Sequence, residues 1–484
     1  MPNLRNLDTF GDIAAEDDAV LDYFLSTDAV TDVEKGNKLL VLGRKGSGKT
    51  ALVRHFTETN KTDHGKPLSL QSYPWQSHQQ LVDKGASETE AYVASWRLLI
   101  SIRLASMVCQ LGAITHTDSL AALRNFLQNN FGSIDPEARS ILSRGRLSVN
   151  SLTINPQVAG VSLGSITFGD PGREKVLGLE LNSLTNSILN DVSTSISELG
   201  IKRLFLHFDE LDQGLDRIDT IKARMLIGLI LAAREISRSR ALRANICPIV
   251  YLRTDIWEQL DFSDKNKITQ SSAIQLHWDE KSLQKLVNER LSARLGAGVL
   301  WSDIEDGGKM RGSQPKWNHI LARTLLRPRD VIQFLNEALR LAKDRSDEEL
   351  IFINEDINGS RDNYSTYLKN ELDDEIFPHW NEWAEALQAC SRTETITFKK
   401  EDFERNYRKT KSKDNALDTE RALETLYRFS VIGYERRSGG GGSAWSFRYT
   451  DSNASWDSSA PRYKVHQGLK EFAKLKEERI SEGD

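Results

Sequence analysis

Cysteine is scarce in this 484-residue chain: Cys109, Cys247 and Cys390 are far apart, and there are no others. They allow neither a disulfide framework nor metal-ligand spacing, which points to a reducing compartment, the cytoplasm. Neither sign of charge dominates. Lys and Arg number 64 against 69 Asp and Glu, a net of −5, which excludes a surface that coats nucleic acid throughout but leaves room for a local basic patch. No extended apolar segment is free of charge. The most apolar, YVASWRLLISIRLASMVCQL (92–111), contains Arg97 and Arg103 and repeats its apolar residues at helical spacing, as a buried amphipathic helix does and a membrane span does not. The opening MPNLRNLDTFGDIAAEDD is polar and then acidic, unlike a signal peptide. The nine histidines include no HExxH spacing and the ten tryptophans are scattered, as packing residues are.

A chain of this length exceeds one compact core, so two to four domains are expected. Strand-like and helix-like segments alternate through its first half. AEDDAVLDYFL predicts a helix between Ala14 and Thr27. KLLVL (38–42) predicts a buried strand, TALVRHFTE (50–58) a helix, and KPLSLQSYPW (66–75) a second strand. After the apolar helix, residues 113–172 are the least regular; VNSLTINPQVAGVSLGSITFGD predicts one or two hairpins there. Helix 174–199, a strand ending in acidic residues in KRLFLHFDELDQG (202–214), helix 217–238, strand 247–255, short strand 273–278 and helix 279–295 follow. This alternation implies a parallel sheet covered on both faces. Beyond about residue 345 the pattern changes. Two helical stretches and two short strands joined by RRSGGGGSA predict a winged-helix domain. The expected organisation is a core over 1–278 with a variable insert at 113–172, a helical lid over 279–345, and connecting helices with the winged helix over 346–484.

The segment LLVLGRKGSGKT (39–50) carries the strongest chemical signal. Gly43, Arg44, Lys45, Gly46, Ser47, Gly48, Lys49 and Thr50 fit GxxxxGK[ST]. Glycines let the backbone wrap a phosphate with its N–H groups turned inward, and the helix running on through Ala51 adds its positive end. Lys49 then reaches the β- and γ-phosphates and Thr50 ligates Mg²⁺. The expected cofactors are ATP and Mg²⁺. In LFLHFDELD an apolar strand ends in Asp209, placed to hold Mg²⁺, and Glu210, placed to deprotonate the attacking water; Asp212 competes for the second role. The alternative for this stretch is a solvated helix cap. About 160 residues separate Thr50 from Asp209, which fits the additional-strand ATPases better than compact P-loop kinases.

VYLRTD offers Arg253 and Thr254 at the next strand's end. Either Thr254 orients the water, or Arg253 contacts the γ-phosphate or a neighbouring subunit's nucleotide. In LLRPRDVIQFLNEAL, Arg327 and Arg329 precede an amphipathic helix; one of them swings onto nucleotide, or both simply pair with carboxylates such as Asp330. Near the C-terminus, Arg405, Arg408, Lys409, Lys411 and Lys413, with Arg436 and Arg437 at the wing base, suit either nucleic-acid contact or a solvated face on a protein-docking domain.

Taken together, AEDDAVLDYFL, LVLGRKGSGKTALV, FDELDQG, YLRTDIWEQL, LLRPRDVIQFLNEAL and RYKVHQGLKEF resemble a family of bacterial P-loop ATPases. That family is related to AAA+ and STAND proteins and is often found with antiviral or other conflict systems. The resemblance covers most of the chain except 113–172. It implies Walker A roles for Lys49 and Thr50, Walker B roles for Asp209 and Glu210, a sensor-1 place for Arg253 or Thr254 and a sensor-2 place for Arg329. It also implies a C-terminal winged helix. The expectation is an ATP-hydrolysing switch that self-associates, meets an effector protein, and has no membrane partner. A DNA-remodelling or loading ATPase, or a non-hydrolysing scaffold, are the alternatives.

Overall fold

The computed structural model describes the chain except residues 1, 60–63, 70–87, 143–145, 149–151, 153–164, 168–173, 212–218, 240–241, 243–244, 413–416, 438–442, 452–453 and 478–484. Its contacts divide it into two units, one of Ser26–Arg44 and Lys49–Leu276, the other of Met1–Leu25, Lys45–Gly48 and His277–Asp484.

The first unit contains helices α1 (Asp28–Glu34), α2 (Lys49–Glu58), α3 (Glu88–Leu111), α4 (Asp118–Phe131), α5 (Ala138–Leu142), α6 (Glu174–Glu198), α7 (Thr220–Ser237), α8 (Thr254–Gln259) and α9 (Lys265–Ser271). Its strands are β1 (Leu40–Gly43), β2 (His64–Ser69), β3 (Arg146–Ser148), β4 (Ser165–Thr167), β5 (Arg203–Asp209), β6 (Asn245–Arg253) and β7 (Ala273–Gln275). Five of them form one parallel sheet in the order β2-β5-β6-β1-β7. β1 is apolar and buried throughout, and β5 is buried from Leu204 to Asp209, as strands covered on both faces must be. The fold is α/β, as expected, and β6 stands between the strand that leads into the phosphate loop and the strand that ends in Asp209. That intervening strand is the defining feature of the additional-strand, AAA+-like arrangement.

Packed on the sheet, α3 is the one helix among the described residues long and apolar enough to cross a membrane, and 78% of that apolar window is buried inside the protein. The Trp96 indole, fully buried on α3, donates to the Met225 carbonyl of α7 at 2.9 Å. Gly228 lets the same two helices touch: a Cβ there would lie 2.7 Å from Tyr92 Cβ. In the stretch expected to hold hairpins, β3 and β4 pair antiparallel. It opens instead on α4, whose Thr117 side chain caps the Leu120 N–H. Most of the rest of it, like strand residues 70–75, lies outside the described residues.

The second unit holds α10 (Glu280–Leu295), α11 (Lys316–Leu321), α12 (Pro328–Lys343), α13 (Asn354–Gly359), α14 (Arg361–Ile376), α15 (Trp383–Ser391), α16 (Lys400–Thr410) and α17 (Thr419–Arg428). Strands β8 (Thr397–Phe398), β9 (Ile432–Arg437), β10 (Ser443–Ser446) and β11 (Tyr463–Val465) form an antiparallel sheet in the order β10-β9-β11-β8. The tip between β9 and β10 lies outside the described residues. Although Met1–Leu25 come first in the chain, their contacts are in this unit: Leu4, Leu7 and Phe10 enter its core and Phe10 stacks on Phe352.

The helix expected at 14–27 is absent. Within that stretch the helical structure is a 3-10 turn, Val20–Tyr23. Asp18 is buried against Arg290 at 3.0 Å and accepts from the Tyr23 hydroxyl. Satisfying a buried carboxylate fixes this stretch in a bent path and overrides its helical periodicity.

Candidate functional site

In the first unit the carboxyl ends of β1, β5 and β6 share one edge of the sheet, with Gly43 in register with Arg253. Ligands of open parallel sheets bind beyond that edge, where neighbouring strands diverge in their connections. There α2 starts at Lys49, whose ammonium donates to the Gly43 and Arg44 carbonyls, both at 3.1 Å. Ala51 lies in the helix's first turn.

Asp209 ends β5 and is only 7% exposed. Burial pushes its carboxyl up to about 6, while the Glu210 backbone N–H, the Lys49 charge and a hydrogen bond from the Thr50 hydroxyl hold it down. The structure thus brings Lys49, Thr50 and Asp209 together. Glu210 follows with φ 59°, a left-handed backbone that a residue with a Cβ adopts at a cost and that turns the chain off the strand at this point. Asp212 lies outside the described residues.

At the end of β6, Arg253 is 7% exposed and is held by Asp255 through two donations, Nε to Oδ1 at 3.0 Å and Nη2 to Oδ2 at 2.8 Å. Thr254 presents a buried hydroxyl that meets no partner. A buried hydroxyl in want of a partner suits a ligand or a water better than a purely structural place. Sequence reasoning missed a polar pair under this edge: His207, fully buried, bonds the Tyr251 hydroxyl through Nδ1 at 3.0 Å. Burial depresses the imidazole to about 3 and raises the phenol. The one signal in the sequence was a histidine two residues before Asp209, on the same strand face.

No group of three or more His, Cys, Asp or Glu suited to a metal occurs among the described residues. Mg²⁺ held with a nucleotide takes one or two protein oxygens and completes its shell from phosphates and water. Thr50 and the buried Asp209, already hydrogen-bonded to each other, are hard oxygen donors of that kind.

Within the second unit, Lys45–Gly48 are held by α12 and α14. Lys45 Nζ meets Asp374 at 2.5 Å and Glu371 at 3.5 Å. Arg327 donates to the Lys45 carbonyl at 3.0 Å and to Asp330 at 3.0 Å, and pairs with Glu375. Burial disfavours the Arg327 charge, but Asp330 and Glu375 more than offset it, so the guanidinium stays charged. Arg329 reaches Glu371 at 3.3 Å and the Ile13 carbonyl at 3.0 Å, while its backbone N–H donates to the Gly46 carbonyl at 3.4 Å. The Trp278 indole donates to the Ser47 carbonyl at 2.9 Å. Gly46 and Gly48 have φ of 75° and 96°, and a Cβ on Gly46 would lie 2.9 Å from Arg329 Cβ. These two glycines are required by the backbone.

The C-terminal cations are partly spoken for. On α16, Arg405 pairs with Asp402 at 2.8 Å and Arg408 pairs with Glu404, while Lys411 sits 5.9 Å from the Tyr407 ring centre. Lys409 is exposed on the same helix. Arg436 lies on β9 opposite Ala444, Arg437 ends that strand opposite Ser443, and Lys413 lies outside the described residues.

Sheet order and loop together define an α/β protein of the P-loop type. Residues 281–373 match the FunZ-associated C-terminal helical domain. The chain is 26% identical over 363 residues to the putative transposon gamma-delta 80.3 kDa protein of Escherichia coli K12. That match takes in 71% of this chain and 48% of the relative, so the chain spans about half the length of the curated protein it matches. Among solved structures it is similar to the Walker-type ATPase PABY2304 of Pyrococcus abyssi, with TM-score 0.40 and 12% identity over 93% of this chain and 95% of that one. A second is Cdc6p from Pyrobaculum aerophilum, with TM-score 0.28 and 12% identity over 88% and 93%.

Proposed function

We propose that the chain binds ATP with Mg²⁺ and hydrolyses it, acting as a nucleotide-driven switch. The observation that carries this reading is the Lys49–Thr50–Asp209 cluster at the carboxyl edge of a sheet with β6 between β1 and β5. Lys49 exchanges its two loop carbonyls for the β- and γ-phosphates, an ammonium's better partners. Thr50 and Asp209 would hold Mg²⁺, which would neutralise phosphate charge there. Glu210 takes a proton from a water whose oxygen bonds to the γ-phosphorus as the bond to the β–γ bridging oxygen breaks, leaving ADP and phosphate. The unpartnered Thr254 hydroxyl orients that water. Arg253 is left to position Thr254 through the backbone they share, because Asp255 engages its guanidinium. The helices from 279 to 345 act as a lid carrying Arg329, and the C-terminal helices with their antiparallel sheet act as a winged helix.

Replacing Glu210 with Gln tests the hydrolytic step. Phosphate release should fall at least about a hundredfold while ATP binding stays within about threefold, the pattern of a lost catalytic base. Unchanged release removes Glu210 from that role, and a wild type that binds ATP without releasing phosphate supports the scaffold alternative.

For cellular role, the motif resemblance supports a bacterial antiviral or conflict system in the cytoplasm, with self-association and an effector partner. The likeness to a transposon protein favours a second reading, in which Arg405, Arg408, Lys409, Lys411, Lys413, Arg436 and Arg437 contact DNA. Turnover stimulated by DNA supports the second reading, and turnover indifferent to DNA supports the first.

A further inference from the structure

Four arginines are buried among the described residues, and three of them meet a carboxylate: Arg253 meets Asp255, Arg290 meets Asp18 and Arg327 meets Asp330. Arg323, only 3% exposed, meets none. Its side chain donates from Nη1 to the His319 carbonyl at 3.0 Å, one turn back, and its Nε is buried without a partner. A guanidinium taken out of water normally has a counter-ion. The corner around it lies wholly in the second unit. Arg323 follows α11, Arg361 opens α14, and Lys470 follows the 3-10 turn Gln467–Leu469. Gly468 of that turn packs so closely that a Cβ on it would lie 2.1 Å from the Arg323 carbonyl oxygen. Arg361 pairs with Glu471 at 3.5 Å and Lys470 with Glu477 at 2.8 Å, so both acids already have a cation. Burial, then Arg323, Arg361 and Lys470, pull the His319 imidazole down to about 3, so it is neutral at pH 7, and its buried Nε2 also lacks a partner. A third buried polar atom of this corner, Glu471 Oε2, has none either. Of the charges around Arg323, Glu471 acts on it most, yet no hydrogen bond or ion pair joins the two.

We propose that this corner is a binding site for a protonated oxyanion, hydrogen phosphate, which supplies the counter-ion of Arg323. The guanidinium edge that carries Nε grips two phosphate oxygens side-on. Glu471 can only accept, and it takes the phosphate O–H. Sulfate has no proton to give at neutral pH and would leave that carboxylate facing a bare anion. The neutral His319 donates from Nε2 to a further oxygen, while Arg361 and Lys470 keep the surroundings positive. Bound phosphate thereby fastens the C-terminal turn to α11 and α14. The site stands apart from the phosphate loop and does not depend on reading that loop as a nucleotide site.

The test is calorimetric titration of inorganic phosphate, and separately of sulfate, at pH 7 and constant ionic strength. The protein is the full chain carrying Lys49→Ala, which disables the phosphate loop as a competing anion site. Phosphate should bind saturably and at least about fivefold tighter than sulfate, the worth of one hydrogen bond to a buried acceptor. Adding Arg323→Met should weaken phosphate at least about tenfold, the loss of a charge-assisted pair. The Arg361 side chain is 29% exposed, so Arg361→Gln keeps the test decisive if Arg323→Met fails to fold. Removing that cation should weaken phosphate about threefold. Absence of saturable phosphate binding overturns the proposal, as does equal affinity for sulfate. So does a Kd that Arg323→Met, or Arg361→Gln in its place, leaves unmoved.

Discussion

Asp209 is a carboxylic acid kept partly dry, and that has a measurable consequence in the ligand-free protein. Its folded value, about 6, lies above the roughly 3.9 of an unfolded chain. Between those values the folded state holds a proton that the unfolded state has lost, so this residue's contribution to stability is full below about pH 4 and disappears as pH rises through 6. Relative to Asp209→Asn, the wild type should therefore lose roughly 2–3 kcal/mol between pH 4 and pH 7 in Mg²⁺-free urea denaturation. Parallel pH curves for the two proteins would contradict the assignment of a buried, proton-retaining acid. Gly46 is the second residue with a sharp expectation. Its φ of 75° and the 2.9 Å approach to Arg329 Cβ leave no place for a methyl group. Gly46→Ala should weaken ATP binding at least about tenfold in a direct titration, since both backbone strain and displacement of Arg329 follow from it.

At the scale of elements, α3 and α7 approach each other closely at Gly228. A valine there must push Tyr92 and its backbone aside, because its first side-chain carbon alone would lie 2.7 Å from Tyr92 Cβ. Gly228→Val should cost about 1–3 kcal/mol in unfolding free energy, the usual range for overpacking, and an unchanged midpoint would show that the helices can part freely. The elements around the candidate site were readable from the sequence because local patterns encode them: glycines, lysine and threonine behind an apolar strand, and a strand that stops at Asp209. The intervening strand was foreshadowed only by the length of chain between Thr50 and Asp209, since pairing of β6 between β1 and β5 is non-local. Three features stayed hidden. The helix expected at 14–27 gave way to burial of Asp18 against Arg290, which no periodicity reveals. The capped helix α4 was masked by the irregular sequence around it. Glu371 lies 325 residues from Gly46, on a helix whose sequence reads as a polar face.

At the scale of the molecule, the continuous phosphate loop draws its residues from both units, Lys45–Gly48 from one and Lys49 from the other. The proposed function is that of a switch whose state is read elsewhere in the molecule. If that switch works by self-association, size-exclusion with light scattering should show a larger species with a slowly hydrolysed ATP analogue than with ADP. Equal masses in both states would remove assembly from the account.

All of this depends on the ammonium of Lys49 closing on a triphosphate. The most direct measurement is calorimetric titration of Mg²⁺–ATP into the wild type and into Lys49→Ala. The account predicts saturable binding by the wild type and a loss of at least about a hundredfold in affinity, equivalent to about 2.7 kcal/mol, in the variant. Equal affinity in the two proteins, or no heat in either, would contradict it.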